Sequence, residues 1–379
     1  MAKNNGDIDM PAGYNPLATN RIKAMWNALM DVRQIPDNLR YLKRTPIVFA
    51  EDDEIMARLT ERSIIADVVA DDQPAAVRND HQITLEATKI PNIKSGTNIK
   101  QSMLNLVQRI KAEQAMAGDA NIFENYLTGR MDKLMINVRM QMNLMCAGMM
   151  LDSYSWSGLG IKSGTVTFGT PSDLKVTPSV GWATSATATP VADIMGVKTT
   201  AQNKYGVEYN RITMSNADFL LMINTTEFRN AASAMKLFNF SADQFSTAIA
   251  NNNAIKMVAE SVLGMTIEID DTQYGREASD SSHSYSRYLP TGKVLLSNTS
   301  DDGNSSSFDF ANGIVTETVV GSMSINGAPA IFGGPQTGPV AFATLPNPDL
   351  NPPNANLWSV ARGFPRKHNQ AATAILTVG

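Results

Sequence analysis

Apolar residues recur at spacings of three and four from Leu127 through Met131, Leu134, Val138, Met142 and Met145 to Met149. That stripe predicts one long amphipathic helix over 121–152, with Asp119 as its N-cap. Asp132, Lys133, Asn137, Gln141 and Asn143 fall off the stripe. About thirty residues in helical geometry make a rod roughly 45 Å long. Gly129 and Gly148 weaken it modestly, and Gly148 is placed to fray its end. A Met-rich stripe fits two roles, a face packed on a sheet or an adaptable binding groove, and the first is commoner. Cys146 within the helix reads as a small buried hydrophobe.

Upstream the pattern changes to period two. Residues 63–69 and 83–90 read as strands, joined by the polar link Ala70-Asp71-Asp72-Gln73-Pro74 and ended by Pro91. Ile83, Leu85 and Ala87 alternate with Thr84, Glu86 and Thr88, so one face wants covering. A two-stranded ribbon is marginal alone in water, so it requires a partner surface. Residues 1–57 read as an arm, interrupted by Gly13, Pro16, Pro36 and Pro46. With so little core of its own, the arm must pack on something else, and its removal (1–44) is expected to leave a folded subunit.

Downstream of a Ser/Thr/Gly-rich β segment ending in Gly181-Trp182, the chain becomes α/β. Thr189-Pro190 carries an Ncap–N1 signature for a helix buried through Val191, Ile194 and Met195 and closed near Gly206. Arg211 to Met214 is a short strand. Ser215-Asn216-Ala217-Asp218 and Ser241-Ala242-Asp243-Gln244 start further helices in the manner of a capping box. Ala254 to Leu263 is helical, and Met265–Asp270 and Lys293–Leu296 are strands joined by a long polar loop, Asp271 to Arg287. From Phe308 onward the pattern is strand-like, with a proline-rich connector from Pro335 to Pro353 and a last strand over 372–378.

The chain has 379 residues, 43% of them hydrophobic and 18% charged, which suits a folded protein with two or three compact regions. The net charge of −4 gives no bulk reason to bind nucleic acid or an anionic membrane. A single cysteine excludes an intrachain disulfide and suits synthesis in a reducing cytosol. Local charge is uneven. Arg21, Lys23, Arg33, Arg40, Lys43 and Arg44 cluster in 21–44, whereas 45–72 is acidic, with the run Glu51-Asp52-Asp53-Glu54. Two solvated faces of opposite sign, or head-to-tail pairing between copies, would each account for this.

Catalytic chemistry finds no foothold. His81, His283 and His368 are far apart and no Cys-x-x-Cys occurs, which leaves no usual zinc spacing. There is no Gly-x-Ser-x-Gly elbow. Gly292-Lys293 fails as a phosphate loop because Val294 follows it and Arg287 holds the first-glycine position. The segment from Asn298 to Asp309 places oxygen side chains at calcium-loop positions 1, 3, 5 and 12 with Gly303 at 6. A polar β-turn is the other reading of that segment. No catalytic, cofactor-binding or metal-binding residue is assigned.

The order of these pieces resembles the major capsid proteins of tailed bacteriophages, the lambda E-protein group with the Hong Kong 97 type fold. Its carriers are the ribbon over 63–91, the helix over 121–152, and Gly181-Trp182 followed by Pro190-Val191-Ala192-Asp193-Ile194. Tyr288-Leu289-Pro290-Thr291-Gly292-Lys293-Val294-Leu295-Leu296 and the terminal Asn351-Pro352-Pro353 with Phe364-Pro365 complete it, although the group would have Asp at 351. The resemblance implies an α+β Hong Kong 97-like capsid fold. Its parts would be an N-terminal arm (1–57), an extended E-loop hairpin (58–100) and a peripheral domain (101–181) holding the spine helix. An axial domain (182–334) and a return to the peripheral domain (335–379) would follow.

The function implied is a non-enzymatic shell subunit of the virion, assembled in the host cytoplasm as hexamers and pentamers around double-stranded DNA. The partners implied are further copies of itself, a separate scaffolding protein, a portal and a decoration protein. Contact with the packaged DNA would be weak and non-specific, and no membrane is involved. A bacterial compartment shell of the encapsulin type shares the fold and stands as the alternative.

Overall fold

The computed structural model describes residues 38–49, 55–61, 81–87, 91–99, 122–158, 161–234, 252–277, 283–298, 307–315, 339–343 and 355–378. The described helices are α1 (Arg40–Lys43), α2 (Ile122–Met150), α3 (Pro190–Tyr205), α4 (Asn216–Asn224), α5 (Thr226–Ala234) and α6 (Asn252–Leu263). The first strands are β1 (Ile47–Phe49), β2 (Ile55–Glu61), β3 (His81–Ala87), β4 (Asn92–Ile99), β5 (Ser153–Gly158), β6 (Ile161–Thr167), β7 (Lys175–Val176) and β8 (Arg211–Met214). Then come β9 (Thr266–Ile269), β10 (Gln273–Glu277), β11 (His283–Arg287), β12 (Lys293–Ser297), β13 (Phe308–Asn312), β14 (Val340–Ala343), β15 (Ala355–Lys367) and β16 (Thr373–Thr377).

Two sheets organise the fold. In the first, β15 pairs with β4, β13 and β14, and β1 joins β13 in parallel. Residues 357–360 of β15 are paired on both edges, by β4 and by β14. The second sheet runs β7-β16-β12-β8-β9.

Two apolar cores meet at this second sheet. Val294, Leu296, Ala374 and Leu376 face a core with Trp182, Phe219, Phe228 and helices α3 to α6. Their alternates, Leu295 and Ile375, face the other core with helix α2, Phe308, Phe310 and Phe364. Successive strand residues point to opposite faces, so a strand covered on both sides must be apolar throughout. The runs Val294-Leu295-Leu296 and Ala374-Ile375-Leu376 satisfy that demand. Phe308 and Phe310 lie in sequence between residues 182 and 334 but pack with α2.

The long helix forms as its periodicity predicts, and Leu134, Val138, Met142, Met145 and Met149 are buried. Cys146 is fully buried, and burial pushes its thiol up to about 12. Asn143 departs from expectation. It is fully buried, because the arm segment docks on that side of the helix. Leu39, Tyr41 and Leu42 are buried against α2, and the Asn143 carbonyl oxygen accepts the Leu42 N–H at 2.9 Å. Gly148 also has a role beyond fraying. A Cβ there would lie 2.9 Å from the Tyr154 Cβ, so β5 packs directly on its backbone. Asp119 lies outside the described residues.

The ribbon differs in register from expectation. Strand β3 pairs antiparallel with β2, Ile55 opposite Ala87 and Glu61 opposite His81. The boundary expected between 57 and 58 therefore falls inside β2. The strand expected over 63–69 lies outside the described residues, as does the helix start at Ser241. Residues 92–99, beyond Pro91, form a further strand on β15. The expected loop over 271–287 contains an antiparallel ribbon, β10 with β11. Period-two reasoning misses it because Gln273, Gly275 and Arg276 and the whole run 283–286 are exposed and present no apolar face.

Helix α3 starts and stops where expected, with Pro190 in its first turn and Gly206 at φ 65° as its cap. Its buried side is Pro190, Ile194, Val197 and Ala201, whereas Met195 turns outward.

Candidate functional site

A set of largely buried polar contacts lies where the arm helix meets the end of β9. Glu268 on β9 receives Arg40 at 3.1 Å, Arg44 at 2.5 Å and Arg211 at 3.8 Å. Two residues of the basic arm are thus neutralised within their own chain, which answers for Arg40 and Arg44 the choice between solvated face and neighbouring copy. Residues 51–54 lie outside the described residues.

Beside this cluster the Tyr41 hydroxyl donates to Asp270 Oδ2 at 2.6 Å. Burial first, then the Asp270 charge, holds that hydroxyl well above the usual tyrosine range, so it remains a donor. The other Asp270 oxygen accepts from the Thr272 N–H and hydroxyl. Tyr288 packs on Tyr41 and on Tyr274 of β10, with centroids 6.3 and 5.0 Å apart. The arm, the sheet edge and the root of the β10–β11 ribbon are therefore tied into one unit. Asp271, next in sequence, turns to Arg287 at 2.6 Å instead. Neighbouring carboxylates with separate cationic or hydroxyl partners form no acid–base pair.

The residues of the resemblance have definite physical work. Trp182 is fully buried and its indole N–H donates to Asp193 at 3.0 Å, which couples the Gly-Trp turn to the first turn of α3. Glu227 accepts from the Val191 and Ala192 N–H groups at 2.8 and 3.1 Å, capping that helix from α5 because Thr189 makes no side-chain cap. Gly292, at φ 83°, donates its N–H to the Asp218 carboxylate at 3.0 Å. Asp218 also accepts from Ser215, whose oxygen in turn caps the Asp218 N–H. Sequence reasoning identifies the Ser215 cap but not that its partner anchors the Leu-Pro turn, a contact across 74 positions.

Candidate metal ligands find other partners. Asp309 is held by Arg366 through two bonds of 2.7 Å and by His368 at 2.7 Å. Burial raises its pKa, but these partners outweigh that and hold it below the usual carboxylate value. Most of the calcium-like segment, 299–306, lies outside the described residues. His81 stands in β3, His283 on the exposed ribbon and His368 beside Asp309. Among the described residues no cluster of His, Cys, Asp and Glu could hold a metal, and no helix is long and apolar enough to cross a membrane.

A profile described as phage major capsid protein E matches residues 53–309, well over half of the chain. The chain belongs to that family. It is a major capsid protein of the tailed-phage type, a structural component of the virion rather than an enzyme. The family is one of phage shells, so the compartment-shell alternative is set aside.

Its fold is that of Hong Kong 97-like capsids. A prophage protein of E. coli CFT073, assigned as its capsid protein, has 14% identity and a TM-score of 0.57 over 96% of this chain and 99% of its own. A phage-related protein of Bordetella bronchiseptica RB50 has 12% identity and a TM-score of 0.49, covering 92% of this chain and 95% of its own. The capsid of Myoviridae phage XM1 has 9% identity and a TM-score of 0.43, covering 89% and 91%. No curated protein matches the chain in sequence.

Proposed function

We propose that this capsid protein closes into an icosahedral shell of hexamers and pentamers around double-stranded DNA, and that its ribbon β2–β3 overlaps a neighbour. The observation that carries this is the ribbon's pairing. Among the described residues it forms its own sheet of two strands, seven residue pairs long, hydrogen-bonded to neither main sheet, while β2 touches β15 and the turn at Gln370–Ala372. A two-stranded ribbon is marginal in water, and a surface on the next subunit adds the cover that its own chain leaves incomplete. The ribbon is the E-loop, α2 the spine helix, and the core around α2, including β13, the peripheral domain. The core around Trp182 and helices α3 to α6 is the axial domain.

A separate scaffolding protein, a portal and a decoration protein complete the partner set, and contact with DNA is weak because the subunit is acidic. Electron microscopy of particles containing this chain, with nucleic acid measured after nuclease treatment, tests the reading. Closed shells with protected DNA are expected. Shells holding an enzyme and no DNA, or a dispersed monomer, would overturn it.

A further inference from the structure

The two most exposed large hydrophobic residues described are Tyr285, at 71%, and Met257, at 68%. They belong to features of opposite shape. Tyr285 stands on the β10–β11 ribbon directly across from Gly275, where a Cβ would lie 3.3 Å from its ring. The glycine lets the ring lie against the ribbon backbone, which covers one side and sets its direction. His283 and Arg287 flank it on the same face, two residues away on either side. Met257 borders an open groove of 460 Å³ between α6 and the start of β9, whose other lining includes Glu208, Glu260 and Met265.

We propose that the ribbon of one subunit seats Tyr285 in the Met257 groove of a second copy. This rests on the shell reading above and names the two surfaces that meet. The chemistry matches on each count. Thioethers pack favourably on an aromatic ring. The phenol hydroxyl suits a groove bearing two carboxylates, Glu208 and Glu260, to either of which it can donate, while Arg287 beside it stays paired with Asp271 of its own chain. The placement matches as well. The groove opens at Thr266, the start of β9, and the ribbon leaves just after Ile269, its end. The two surfaces thus lie at opposite ends of one strand, and Tyr285 is exposed rather than seated in its own groove. A contact between unlike surfaces repeats head to tail and closes into a ring when the rotation allows, as a capsomer requires.

The buried Cys146 leaves the described surface without a reactive thiol, so introduced cysteines report alone. In full-length particles carrying both Tyr285→Cys and Met257→Cys, a short thiol–thiol cross-linker should produce a ladder of covalent oligomers. Each single variant should stay monomeric on the same gel. Intact double-variant particles that give only monomer would overturn the proposal while leaving the shell reading standing. If the cysteine pair prevents assembly, a photoreactive phenylalanine analogue at 285 keeps the ring. Its adduct should map to the 255–263 segment of another subunit, and an adduct elsewhere, or only within one chain, would sink the idea. Wild-type protein that forms no particles at all would instead count against the shell reading.

Discussion

Glu268 illustrates how much one side chain carries here. Arg44 is almost wholly buried and Arg211 nearly so, and both point at this carboxylate. Removing one member of a buried ionic set leaves the others uncompensated, which costs about 3 kcal/mol or more. Glu268→Gln should therefore lower the urea midpoint of the unassembled subunit well beyond an exposed control such as Glu208→Gln. Equal midpoints would mean that the arginines find other partners. Asp309 makes a pH-dependent contribution. Its folded pKa is depressed, so the stability it supplies is present above about pH 4, the unfolded value, and is lost as pH falls through the folded one. The wild type should exceed Asp309→Asn in stability at pH 7, and the gap should narrow below about pH 4. A gap independent of pH would assign the effect to packing instead.

Between elements, close approach matters more than propensity. Helix α2 touches β5 at Gly148, where a Cβ would sit 3.0 Å from the Ser153 carbonyl oxygen and 2.9 Å from Tyr154. Alanine is the better helix former by about 1 kcal/mol, so an isolated helix would gain from Gly148→Ala. In the folded chain the overpacking costs about 1–3 kcal/mol and decides the sign. Thermal unfolding should show a net loss, whereas Gly129→Ala, with open space around it, should be neutral or stabilising. A gain at 148 would show that β5 can shift away.

The arm belongs to the core of the subunit from Leu39 onward. Leu39, Tyr41 and Leu42 are buried with α2, and Arg40 and Arg44 are paired with Glu268. The expectation that removal of residues 1–44 leaves a folded subunit is therefore revised. Deletion of 1–44 takes three buried apolar side chains and two guanidinium groups with it. Truncating a single large core residue already costs about 2–5 kcal/mol, so this variant should be insoluble or molten. Near-native melting of that deletion would show that residues 39–44 only decorate the surface.

Local pattern was sufficient for much of this protein. The Met stripe located α2 to within two residues, Ser215 and Gly206 marked helix ends, and the order of the motifs led to the capsid family. These signals are readable because each reports one element's own periodicity or cap chemistry. Only the tertiary structure decided which distant segments meet. It paired 55–61 with 81–87, buried Asn143 under the arm, gathered three arginines on Glu268, and turned the expected polar loop into a ribbon carrying Tyr285. None of these has a local signature, because a polar residue looks alike in sequence whether it faces water or a partner two hundred positions away. The partner is chosen by closure of two cores against one sheet, and that is a property of the folded chain.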